Sequence, residues 1–225
     1  MKRLFPILAV LTALLLIYAL YQALVVAPTE RTMGDVQRIF YYHVPSAWTA
    51  FLLFFVNLVA SVMYLIRRNP KADALAVVSA EVGVVFCTVV LVTGPIWARP
   101  VWGIWWTWDL RLTLTLVLWL IYVSYLVLRR FSDSAQTPVL AAVLAIFGAL
   151  DVPLVYFSIW FFRTQHPRPV IGGGGSIDPR MLHILLINWL AFSCFAFLVC
   201  WSRYRLEKLH REVDEAYALK SLGAP

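Results

Sequence analysis

Residues 102 to 113 run Trp-Gly-Ile-Trp-Trp-Thr-Trp-Asp-Leu-Arg-Leu-Thr, which sets Trp102, Trp105, Trp106 and Trp108 beside Asp109 and Arg111. Tryptophan offers the largest flat apolar face of any side chain, together with one N–H donor. Four of them next to a charged pair suit a shelf for a large, flat, partly polar ligand. An aromatic belt at a membrane interface also collects tryptophan, but its residues are spread over several helix ends. If the segment is helical, Trp102, Trp105, Trp106 and Asp109 share one face at i, i+3, i+4 and i+7. Such a helix could lie along a membrane surface with its apolar side down.

Histidine supplies a second set of groups. His43 stands in Tyr41-Tyr42-His43-Val44-Pro45, His166 in Thr164-Gln165-His166-Pro167, and His183 opens a later apolar run. A lone histidine at a helix end is more often a hydrogen-bonded interface residue, yet neutral imidazole is also a strong ligand for transition metals and haem iron. Arg99, Arg111, Arg163 and Arg168 fall in the same connections as the tryptophans and histidines, and arginine can hold a carboxylate through two parallel bonds. A flat platform, axial nitrogens and cations for two propionates match haem better than any other ligand. No carboxylate or thiol completes a closed zinc set with the histidines. Nothing resembles a phosphate-binding loop or a Ser/His/Asp arrangement.

These groups must be positioned by membrane helices. Of 225 residues, 62% are hydrophobic and 14% charged, whereas a soluble domain carries about 25% charge. The net charge of +7 is dispersed between apolar runs rather than gathered on one face, which argues against nucleic acid as a partner. Cys87, Cys194 and Cys200 lie inside apolar runs, and no CxxC or CxxCH occurs. A disulfide framework and covalent c-type haem attachment are therefore disfavoured.

A membrane span takes about 20 apolar residues as a helix, and six segments meet this requirement: 4–27, 43–66, 74–95, 112–128, 138–162 and 181–202. The chain is read as an all-α integral membrane protein with a single membrane domain and a tail at 203–225. The first run is too long for a signal-peptide core and is followed by Pro28, so it is kept as a span. Lys2, Arg3, Arg67, Arg68, Lys71, Arg129, Arg130, Arg203, Arg205, Lys208, Arg211 and Lys220 fall on one side, twelve of the nineteen basic residues. By the positive-inside rule that side, with both termini and the tail, is cytoplasmic. The outer connections are about 28–41, 96–111 and 163–180, the last holding four glycines at 172–175 that read as a hinge. Glu81 and Asp151 sit within spans, where acids face inward. There is no internal repeat of the kind that builds many transporters.

The pattern Trp102-Gly103-x-Trp105-Trp106-x-Trp108-Asp109-x-Arg111-Leu112-Thr113 resembles the tryptophan-rich "WWD" signature of the haem-handling proteins of cytochrome c biogenesis. The length and six spans resemble the CcmC type, haem exporter protein C, over nearly the whole chain. That resemblance implies haem b bound transiently at the periplasmic face of the bacterial inner membrane, on the tryptophan platform. It implies axial ligation by two outer-loop histidines, which match His43 and His166 by position, with His183 as the rival second ligand. It further implies delivery to the haem chaperone CcmE, in a complex with the CcmA/CcmB ABC transporter and the small membrane protein CcmD, within membrane lipid. Such a chain is a haem-delivery subunit rather than an enzyme. The alternatives are a haem lyase or synthase, which would be longer and carry a further histidine pair within the membrane, and a haem or solute permease, which would need a polar path.

Overall fold

A computed structural model describes residues 4–132, 134–162, 164–167, 177–221 and 223. Among them the chain is helical, with one isolated β-bridge between Glu30 and Gly34. Helix α1 covers Leu4–Tyr21 and ends in a π-turn at Gln22–Val26. After a 3-10 turn at Asp35–Ile39 come α2, Phe40–Arg67, and α3, Pro70–Trp102. Then follow α4, Leu110–Phe131, α5, Thr137–Phe161, and α6, Pro179–Ser221. All six are long and apolar enough to cross a membrane, and an all-helical bundle is what the hydrocarbon core demands, since each helix satisfies its own backbone.

Several boundaries differ from the sequence expectation, three of them near the histidines, the tryptophan motif or the tail. Helix α2 begins at Phe40, so His43 is already helical and Pro45 lies inside the helix, where it removes the bond an N–H would give to the Tyr41 carbonyl. Helix α3 runs on past Pro95 and Pro100 to Trp102, although each proline removes one i→i−4 bond. Helix α6 does not stop near residue 202, and most of the expected tail continues it to Ser221. At 1.5 Å per residue this makes a rod of about 65 Å, roughly twice the hydrocarbon thickness.

The turn joining α2 to α3 is built from local chemistry. Arg68 takes a left-handed conformation (φ 51°), Asn69 caps α3 by accepting from the Lys71 N–H, and Pro70 starts the helix. The two helices then pack tightly because Gly83 lacks a side chain: a Cβ there would meet Phe54 Cε1 at 2.7 Å. Gly148 does the same between α5 and α4, against Ile121. Phe54 and Tyr122 stack at 3.8 Å between ring centres in the core these pairs enclose. Helix α1 lies at the margin, packed mainly on α6, with a wide apolar surface left exposed. Asp151 is buried in α5, its Oδ2 without a hydrogen-bond partner among the described residues.

The end of the bundle away from His43 is closed by ion pairs. Asp73, on the first turn of α3 and 3% exposed, accepts two bonds from Arg129 of α4 at 2.7 and 2.6 Å and pairs with Arg211 of α6 at 2.9 Å. Glu81 accepts two bonds of 2.9 Å from Arg203. One buried carboxylate thus joins three helices. Removing one member of such a buried network leaves uncompensated charge, at a cost of about 3–5 kcal/mol. Asp73→Ala is expected to lower the thermal unfolding midpoint in detergent and to speed proteolysis within residues 205–221. An unchanged midpoint and cleavage rate would show that the network does not hold α6.

Candidate functional site

The site forms at the other end, where the first turn of α2, the last turns of α3 and the stretch 164–167 after α5 converge. Helix α2 directs the buried His43 ring onto α3, where its Nδ1 lies 2.9 Å from Thr93 Oγ1. Gly94 lets the ring come close, since a Cβ there would sit 3.4 Å from His43 Cε1. One turn further on, Trp97 meets the ring edge-on at 5.8 Å between centres.

His166 is brought to the same place from the loop. Its ring centre lies 6.4 Å from that of His43, with 33° between the planes. Its Nδ1 is 2.9 Å from the carbonyl oxygen of Pro167. A carbonyl can only accept, so Nδ1 carries the hydrogen and Nε2 keeps its lone pair. Burial, and next the Arg111 guanidinium, push the His166 imidazole down to about 4, against weaker upward pulls from the Pro167 carbonyl and Asp109. It is therefore neutral, and a competent ligand, near pH 7. His183 lies exposed at the start of α6.

The spacing of the two rings carries chemical information. An imidazole nitrogen binds a metal at about 2.0 Å and its ring centre lies about another ångström behind, so rings on opposite sides of one ion have centres about 6 Å apart. No group of three or more His, Cys, Asp or Glu able to hold a metal exists among the described residues. Two nitrogens do not close a zinc site, but two would suit a metal otherwise held by a macrocycle. The residues present fit haem in that sense.

The tryptophan segment is not a surface helix. Gly103, at φ 77°, ends α3 with its N–H bonded to the Arg99 carbonyl, and the Arg99 side chain donates to the Gly103 carbonyl. Asp109 starts α4 as its N-cap, accepting from the Leu112 N–H at 3.1 Å and from Thr107 Oγ1 at 3.2 Å. The few residues between these two caps have no helical conformation. Trp102 thus ends α3, half-buried, while Trp105 and Trp108 are largely exposed. Trp106 is half-buried and meets Trp108 edge to face at 5.8 Å. The Nε1 atoms of Trp97 and Trp106 are buried without a hydrogen-bond partner among the described residues, donors available to a ligand.

Arg111 reaches from the first turn of α4 towards α5, within 3.4 and 3.5 Å of the Val155 and Tyr156 carbonyl oxygens, and its charge is felt at His166. Arg99 is exposed. Arg163, Arg168 and the four glycines lie outside the described residues. Thr93 and Trp97 are the additions to the sequence reading. Their spacing of four residues puts them on one face of α3, one turn before the tryptophan motif, but only the fold shows that His43 lies against that face. A cavity of about 670 Å³ lies elsewhere, between α1, α2, α3 and α6, with mostly apolar walls that include the Glu81–Arg203 pair.

The chain is similar to known proteins along most of its length. The family model described as Heme exporter protein C (CcmC) matches residues 1–219. Heme exporter protein C of Bradyrhizobium diazoefficiens is 37% identical, over 94% of this chain and 81% of that protein. A putative cytochrome c biosynthesis ccmC-like mitochondrial protein of Marchantia polymorpha is 34% identical, over 80% of this chain and 76% of its own length. Heme exporter protein C of Escherichia coli K12 is 33% identical, over 77% and 69%. With six apolar helices, an irregular tryptophan-rich connection beside two facing imidazoles, and this similarity from end to end, the chain is a multi-pass membrane protein that belongs to the Heme exporter protein C family.

Proposed function

We propose that this chain holds haem b transiently at the periplasmic face of the inner membrane, with His43 and His166 as axial ligands, and passes it to the chaperone CcmE for c-type cytochrome maturation. The observation that carries the reading is the pair of imidazoles 6.4 Å apart, the separation that two axial ligands of one iron require. Family membership supports haem as the cargo. The positive-inside count supports cytoplasmic termini and a periplasmic site. CcmA/CcmB and CcmD are the partners this reading expects.

Each part of the chain has a task. His43 and His166 would hold the iron of a bound haem through neutral ring nitrogens. Arg111, close enough to hold His166 uncharged, and Arg99 offer cations for the haem carboxylates. Trp105 and Trp108 offer exposed faces, and Trp106 an unused N–H donor. Asp109 fixes the start of α4 and so the direction of Arg111.

Three outcomes test this. Replacing His43 or His166 with alanine should abolish the Soret band of purified protein and the loading of co-expressed chaperone, while His183→Ala retains both. Full loading by His166→Ala together with failure of His183→Ala would reassign the second ligand. Joint replacement of Trp105 and Trp106 by alanine should weaken haem binding at least tenfold, worth about 1.4 kcal/mol; undiminished affinity would remove the tryptophans from the site. The third outcome concerns pH. Because the folded value for His166 lies below the ordinary 6.5, stability from its neutral contacts is complete above 6.5 and drains as pH falls towards 4. Nuclear magnetic resonance of histidine-labelled protein should show His166 titrating near pH 4, and a midpoint near 6.5 would contradict the buried, cation-flanked setting.

A further inference from the structure

We propose that Thr93 is a positioning residue that locks His43 in the tautomer whose Nε2 lone pair would be free to bind iron; the proposal rests on the haem-holding reading above. A threonine hydroxyl has one hydrogen and two lone pairs. Thr93 Oγ1 lies 2.7 Å from the Val89 carbonyl oxygen, one turn back on α3, and that atom can only accept. The single hydroxyl hydrogen is therefore committed. The same oxygen lies 2.9 Å from His43 Nδ1, so towards the ring it can only accept. Nδ1 must carry the hydrogen, and in a neutral imidazole that leaves Nε2 as the free nitrogen.

The ring's orientation is fixed as well as its proton. Gly94 lies against Cε1 and Trp97 against the ring edge, so three positions on one stretch of α3 hold it. His166 reaches the same tautomer through the carbonyl of its own neighbour, Pro167, a backbone atom that no side-chain change removes. His43 depends on a side chain from another helix. An acceptor on the far nitrogen raises the basicity of a ligating imidazole, and losing such an outer partner typically costs 10–100-fold in metal affinity.

Thr88 provides a matched comparison. It sits on the same helix, donates to the Val84 carbonyl at 2.8 Å and accepts from Trp119 Nε1 at 2.8 Å. Thr88→Val thus removes an equivalent hydroxyl that touches neither histidine.

The test uses the full chain in lipid nanodiscs, titrated with ferric haem, and the same protein without haem for histidine nitrogen spectra. In the haem-free parent, His43 Nε2 should be the unprotonated nitrogen, and Thr93→Val should give a mixture of tautomers. Thr93→Val should bind haem 10–100-fold more weakly and raise its reduction potential, because a less basic ligand stabilises ferric iron less. Thr93→Ser should restore both, and Thr88→Val should leave both at the parent value. An unprotonated Nδ1 in the parent would overturn the proposal whatever the variants do. So would equal effects of Thr93→Val and Thr88→Val, or a failure of serine to rescue. If His43→Ala loses the six-coordinate spectrum while Thr93→Val matches the parent, the Thr93 role is wrong and the haem reading survives. If His43→Ala binds haem as the parent does, the haem reading itself falls.

Discussion

The proposed site depends on two imidazoles whose ring centres lie 6.4 Å apart staying uncharged. A protonated ring has no lone pair to give, so a site of this kind must exclude the proton without excluding the metal. The chain does so differently on its two sides. His166, on a connection, is pushed down by burial and by the Arg111 guanidinium. His43, within a helix, is packed between Thr93, Gly94 and Trp97 and has its one ring hydrogen assigned by a hydroxyl. In this account Arg111 serves twice, because the charge that keeps a proton off His166 also suits a propionate.

The helices exist to hold those groups in register. Two glycines, Gly83 and Gly148, let α2 and α3, and α5 and α4, close on one another, which fixes the height of His43 against Thr93 and of Arg111 against α5. The far end is clamped by Asp73 and Glu81 with three arginines. Strong ionic closure at one end and aromatic and imidazole groups on helix ends and connections at the other give the bundle its division of labour. The exposed apolar surface of α1 is what a lipid-facing helix should present.

Much of this was legible in the sequence, for physical reasons. A span needs about 20 apolar residues and therefore announces itself, so all six helices appear as runs. The tryptophan motif stands out because four tryptophans crowd beside an acid and a base, and His43 and His166 because both fall at outer ends of apolar runs. The ends of α3 and α6 were hidden. Pro95 and Arg203 look like stops, but the first helix continues through its prolines, and the Glu81 and Asp73 pairs support the second beyond the apolar stretch. The helical periodicity of Trp102, Trp105 and Trp106 misled for a local reason: Gly103 ends one helix and Asp109 starts another, so the three tryptophans do not share one helix. Asp73, Thr93 and Trp97 act through partners distant in sequence, which no local pattern displays.

The central claim is that one iron is shared by two histidines from different segments. The most direct measurement is near-infrared magnetic circular dichroism, with electron paramagnetic resonance, on the haem-loaded, oxidised protein. The account predicts a low-spin ferric centre whose charge-transfer band marks two neutral imidazole ligands. A high-spin five-coordinate centre, or a band belonging to imidazole paired with another ligand type, would contradict it.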